Sequence, residues 1–113
     1  MRKMSINRGE KILCDLHRVI EDRAERPAPD SYVSSLLEKG KEAIHAKLLE
    51  ETGEVIEASR EASREHIIHE TADLWFHLLV PLGCWNISPD DIFAQLSARW
   101  GHPGLTEKRE RSQ

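Results

Sequence analysis

The chain has 113 residues, 39% hydrophobic and 32% charged, with 20 acidic side chains against 16 basic ones and a formal net charge of −4. That length predicts a single domain over 1–113 with a modest core, and the composition excludes a disordered chain. The bases are scattered, which argues against nucleic acid as the main partner.

Ile12, Leu13, Leu16, Val19 and Ile20 have the 3,4 spacing of an amphipathic helix over about 9–24. RPAP at 26–29 breaks it, because proline lacks an N–H and restricts the residue before it. Asp30 or Ser31 can cap a short helix through SYVSSLLEK, which Gly40 ends. A third helix is expected over about 41–60, with Ile44, Leu48, Val55 and Ile56 as its stripe. A fourth starts near Ser63, carries Ile67, Ile68, Leu74, Trp75, Leu78, Leu79 and Leu82, and ends near Gly83, with Pro81 straining its last turns. Ser88 caps a fifth, with Pro89 first and Asp91 closing a capping box; Ile92, Phe93, Leu96 and Trp100 form its apolar face before Gly101. The tail from about 102 is polar. No period-2 apolar run predicts a strand, so the expected fold class is all-α, a small bundle of about five helices.

Other features narrow the setting. LLVPLGCW at 78–85 is too short and broken to span a membrane, so no membrane is expected. The N-terminus MRKMSINRGEK has no apolar h-region, and no signal peptide is predicted. Cys14 and Cys84 lie far apart without a ligand pattern, as for reduced thiols in a cytoplasmic protein. Trp75, Trp85 and Trp100 read as core or subunit-interface residues, and His66 and His69 as first-turn surface residues.

The informative residues are acids. Residues three and four apart share a helix face. Lys47, Glu51, Glu54 and Ala58 form such a row on the third helix, and Glu70, Asp73 and His77 another on the fourth. The stretch from Ala58 to Arg64 is short enough to make the two helices antiparallel neighbours, so ExxE and ExxD can converge. Carboxylates that close repel one another unless cations join them. Hard oxygen donors suit Mg²⁺, or Mn²⁺, better than Zn²⁺. Acid pairs at this spacing also occur on solvated faces. Against that, Glu54 and Asp73 adjoin the apolar stripes, and Gly53, Ala58 and Ala72 are small. Gly53 costs roughly 1 kcal/mol relative to Ala in a helix interior, a cost easier to understand if something needs the space.

KLLEETGEVIEA followed by HETADLWFHLL resembles the all-α, MazG-like nucleoside triphosphate pyrophosphatases, and among them the phosphoribosyl-ATP pyrophosphohydrolases. DSYVSSLLEKG at 30–40 is similar to that family's lead-in, and RWGHPGLTEK at 99–108 to its C-terminal pattern. KxxEExxE falls on Lys47, Glu50, Glu51 and Glu54, and ExxDLxxHLL on Glu70, Asp73, Leu74, His77, Leu78 and Leu79. The resemblance covers about 10–108. Gly53, Pro81 and CWNIS at 84–88 depart from the family's usual residues, none of them in the acidic pattern.

The resemblance implies Mg²⁺-dependent hydrolysis of phosphoribosyl-ATP to phosphoribosyl-AMP and pyrophosphate, the second step of histidine biosynthesis. It implies Glu51, Glu54, Glu70 and Asp73 as metal ligands, with one of them or Glu50 orienting or deprotonating the attacking water. Glu50 is rotated about 100° from Glu51 around the helix, which leaves a solvated role equally open. Lys47 and Lys39 are candidates for the phosphates, and His77 for either a packed role or a substrate contact. A homodimer is expected, since one chain of this size covers its apolar surface poorly. Two other readings stay open: a house-cleaning pyrophosphatase of other nucleotides, and a non-enzymatic helical interaction module.

Overall fold

The structure, a computed structural model, describes the chain from Met4 to Gly101, with side chains from Gly9 onward. The expected polar tail, His102 and the end of the RWGHPGLTEK pattern lie outside the described residues. Five helices account for nearly all the rest: α1 (Met4–Glu25), α2 (Tyr32–Lys39), α3 (Lys41–Glu61), α4 (Arg64–Cys84) and α5 (Pro89–Trp100). The all-α expectation is borne out, and no strand occurs among the described residues. Among them, no helix is long and apolar enough to cross a membrane.

Local chemistry explains the boundaries. Ser31, not Asp30, caps α2: its hydroxyl accepts from the Ser34 N–H at 3.1 Å. Ser88 starts α5, its N–H donating to Asp91 Oδ2 at 3.0 Å. Helix α3 runs to Glu61, so the turn before α4 is tighter than the sequence predicts. Ala62 adopts φ 58°, ψ 29°, and Ser63 caps α4. A left-handed alanine costs about 1–2 kcal/mol, which the close α3–α4 packing offsets. Gly40 both ends α2 and begins α3, at φ 98°, ψ 179°. Helix α4 continues through Pro81 to Cys84 instead of ending at Gly83. The proline sits near the helix end, where it forfeits only one ladder bond.

The core is small. Ile20, Val33, Leu36, Ile44, Leu79 and Val80 form it, drawn from α1, α2, α3 and α4. Helix α4 is the central element, packing against both α3 and α1. Gly83 marks the close approach of α1: a Cβ there would lie 2.8 Å from Cγ2 of the fully buried Ile20. Gly83→Ala is therefore expected to destabilise the protein by about 1–2 kcal/mol, the overpacking exceeding the gain in helix propensity. Urea denaturation measures this directly, and an unchanged or raised midpoint would mean that Ile20 can yield.

Much of the predicted apolar surface is not in this core. Ile12, Val19, Leu49, Ile56, Ile68, Trp75, Leu78, Trp85, Ile92 and Leu96 remain exposed, so none of these stripes is closed by one chain. Trp75 and Trp85 are more than half exposed and Trp100 is 38% exposed, which removes the core reading of all three within a single chain.

Candidate active site

The antiparallel α3–α4 pair brings three acids together. Glu51 from α3 and Glu70 and Asp73 from α4 each offer a carboxylate oxygen, and these oxygens lie within 4.8 Å of one another. The reason is the row geometry: Glu70 and Asp73 share one face of α4, which packs on the face of α3 that carries Glu51. Glu51 is 6% exposed and Glu70 9%. Lys47 Nζ lies 3.4 Å from one Glu51 oxygen, while the other, Oε1, is buried without any hydrogen-bond partner. An unpartnered buried carboxylate oxygen costs at least about 1–3 kcal/mol, and a cation there removes that cost. The donor set is three carboxylate oxygens, which suits a hard divalent cation.

Around the acids sits a shell of nitrogen and hydroxyl groups. Lys47 also approaches Glu50 at 3.4 Å. Desolvation works against its charge, but the Tyr32 oxygen and the Glu50 and Glu51 carboxylates outweigh it and raise its pKa above the usual lysine value. Burial pushes the Tyr32 phenol above its ordinary value, with Lys47 opposing and Glu51, Glu50 and Asp73 adding to the rise. His66 Nδ1 lies 3.0 Å from Glu61 and its Nε2 3.3 Å from Glu70, while His69 Nε2 lies 3.6 Å from Asp73.

Residues 13–100 match the family described as Phosphoribosyl-ATP pyrophosphohydrolase. A protein named phosphoribosyl-ATP pyrophosphatase from Geobacter metallireducens is 45% identical over 94% of this chain and 97% of its own length. Another of that name from Geotalea daltonii is 46% identical over 91% and 97%. The chain belongs to the phosphoribosyl-ATP pyrophosphohydrolase family. A third relative, from Neisseria gonorrhoeae, is 37% identical over 93% of this chain and 98% of its own. The resemblance read from KLLEETGEVIEA and HETADLWFHLL is thereby borne out.

Within this pyrophosphohydrolase the residues expected at the site take different positions. Glu51, Glu70 and Asp73 converge. Glu54 is exposed and stands outside that group, its side chain directed to solvent one turn nearer the α3–α4 turn. Glu50 is exposed too, tied to Lys47. Lys39 is exposed at the last position of α2, and no hydrogen bond or ion pair among the described residues joins it to the acids. His77 is 6% exposed with both ring nitrogens engaged, Nδ1 by the Asp73 carbonyl at 2.7 Å and Nε2 by Tyr32 Oη at 2.8 Å, so neither nitrogen is open to a phosphate in this arrangement.

Sequence reasoning passed over His66 and His69. His69 is exposed, as the surface reading has it, and His66 is half-buried; each stands four positions before an acid of the cluster, and that spacing was the signal available. The hydrogen bond to Glu61 is the largest influence on His66; desolvation opposes it, and attraction to Glu61 and Glu70 adds to it, so its pKa is raised above 6.5. A histidine raised on folding adds stability in full below its unfolded value, and that stability is lost as pH rises through the folded value. In metal-free protein, His66→Ala should thus lower the urea midpoint below about pH 6.5 and converge with the parent well above it. A gap that widens with rising pH would contradict the assignment.

Proposed function

We propose that this chain hydrolyses phosphoribosyl-ATP between its α- and β-phosphates, giving phosphoribosyl-AMP and pyrophosphate, as the second step of histidine biosynthesis. The observation that carries the reading is the three-carboxylate group with its buried, unpartnered Glu51 oxygen, in a chain of this family. Glu51, Glu70 and Asp73 would hold Mg²⁺, with Mn²⁺ as a substitute, and Glu54, outside that group in this structure, would be a fourth ligand only if its side chain turned inward from three residues along the same row. The metal, when bound, supplies the positive charge that lets a polyanionic triphosphate approach these acids and makes a water easier to deprotonate.

The chain's own residues do the rest. Glu51, or Glu50 one position before it, orients the attacking water and takes its proton as the water adds across the α–β bridge. Lys47, one turn before Glu51, carries its cation to the departing pyrophosphate. Lys39 is the second phosphate cation, reaching in from the end of α2. His66 and His69 hold Glu70 and Asp73 in place, as outer partners of ligating groups do.

The working unit is a homodimer. A groove of about 480 Å³ is lined by Trp75, Leu78, Trp85, Ile92 and Leu96 among others, all of them half-exposed in one chain. Apolar surface this extensive on so small a protein is characteristic of an interface. Gly53 sits between the exposed Leu49 and Ile56, and, apart from its chain neighbours and the adjacent backbone of its own helix, no atom of the described residues lies within 4 Å of where its Cβ would be. The space it leaves is open to a second copy. A cytoplasmic location goes with the substrate and with two free cysteines.

The deciding experiment is pyrophosphate release from phosphoribosyl-ATP with and without Mg²⁺, beside a panel of ordinary nucleoside triphosphates. Mg²⁺-dependent turnover of phosphoribosyl-ATP alone is the expected result. Turnover of the other triphosphates instead would keep the metal chemistry and make the protein a house-cleaning enzyme. No release from any of them by folded protein would return the acids to a solvated interaction face.

A further inference from the structure

Lys47 stands on α3 one turn before Glu51, its Nζ 3.4 Å from Glu51 Oε2 and 3.4 Å from Glu50 Oε1. Both distances exceed the roughly 2.7–2.9 Å of a strong charge-assisted hydrogen bond. The ammonium is thus shared between two carboxylates and held closely by neither. The Lys47 side chain is 29% exposed and that of Glu51 8%, so the lysine lies at the rim of the acidic group and not within it.

The two oxygens of Glu51 are unequally served. Oε2 has Lys47, and Oε1 is buried with no partner. Glu70 and Asp73 bring further negative charge to within 4.8 Å, and the side chains paired with them are His66 and His69. Among the described residues, no arginine and no other lysine pairs with the three acids. A lysine carries a full positive charge near neutral pH. Beside Glu51 that charge acts in two opposite ways. It offsets the mutual repulsion of the acids in metal-free protein, and it repels a divalent cation that the same acids would take. A triphosphate presents the loosely held ammonium with a denser set of anionic oxygens than Glu50 and Glu51 do.

We propose that Lys47 is a detachable counter-ion. On Glu51 it weakens the hold of the acids on a divalent metal ion, and its transfer to the triphosphate restores that hold, so that metal and nucleotide bind cooperatively. Coupling of this kind is reciprocal: each ligand tightens the other by the same factor. The inference rests on the proposed role of the acids as metal ligands, and its test is separable from the proposed activity.

The test is Mn²⁺ binding to nucleotide-free protein, read from the loss of the free-ion signal in electron paramagnetic resonance. Lys47→Met should bind Mn²⁺ roughly tenfold more tightly than wild type, the order of effect of one positive charge several ångströms from a divalent ion. Lys47→Arg keeps the charge and should bind as wild type does. In metal-free buffer the order reverses, and Lys47→Met should melt below wild type because the acids have lost their counter-ion. Tighter metal binding by a less stable protein is not what damage to the fold produces. Should Lys47→Met fail to fold, Lys47→Gln removes the same charge and is measured in its place. Equal or weaker Mn²⁺ binding by the neutral variant, or tightening by Lys47→Arg as large as by Lys47→Met, overturns the proposal. Absence of Mn²⁺ binding by any of the folded proteins overturns it together with the metal ligands. If the neutral variant binds more tightly but wild type does not hydrolyse phosphoribosyl-ATP, the activity is wrong and the counter-ion role stands. If hydrolysis is found and the Mn²⁺ affinity does not move, the activity stands and the counter-ion role is wrong.

Discussion

Glu51→Gln should lower pyrophosphate release from phosphoribosyl-ATP by well over a hundredfold and leave the protein folded. Outer partners of metal ligands alone are worth about 10–100-fold, and Glu51 is proposed as a direct ligand. Gln has nearly the same shape, so the packing of a residue only 6% exposed is kept. The substitution also removes one negative charge from a group whose oxygens lie within 4.8 Å of one another. Metal-free Glu51→Gln should therefore melt no lower than the parent. Saturating Mg²⁺ separates the two further. At about 100 times its dissociation constant a ligand adds about 2.7 kcal/mol, which moves the midpoint of a domain this size by on the order of 10 °C. Wild type should show that rise and Glu51→Gln should lose it. Full activity in Glu51→Gln would end its assignment as a ligand.

The second large effect concerns assembly. Trp75→Glu should turn a dimer into a monomer, raising the dissociation constant roughly 30- to 1000-fold, the range for losing a buried aromatic anchor worth about 2–4 kcal/mol. Trp75 is 54% exposed in the single chain, so a charge there costs little in the monomer and much in an interface. Sedimentation velocity across a concentration series reads the change. A wild type that sediments as a monomer at every concentration would remove the dimer from the proposal.

The sequence carried the helices well, because caps and breakers are local. Ser31, Gly40, Ser88 and Gly101 mark boundaries through the hydrogen bonds or dihedrals they permit, and those were readable. Tertiary outcomes were less so. The tight turn at Ala62 was hidden because alanine gives no sign of a left-handed conformation. Gly83 looked like a helix stop, since nothing in the chain's order says that Ile20 will press against it from α1. At the site, the row rule placed Glu51, Glu70 and Asp73 on facing helix surfaces. It could not show which way the long Glu54 side chain turns. It placed His77 on the acidic row but not what holds its ring, because the Tyr32 hydroxyl reaches it from 45 positions away.

Gly40 carries a consequence for how α2 is set against α3. Helix α2 ends and α3 begins on that one residue, with no linker between them. Its φ of 98° and ψ of 179° lie in a region that glycine alone occupies without strain, worth about 1–3 kcal/mol to any other residue. Apart from its chain neighbours, nothing among the described residues lies within 4 Å of where its Cβ would be, so torsion, and not crowding, constrains the position. Tyr32 rides on one side of this joint and Glu51 on the other. The spacing between the start of α2 and the carboxylate row of α3 thus turns on a single pair of backbone angles, a calliper whose pivot has no side chain.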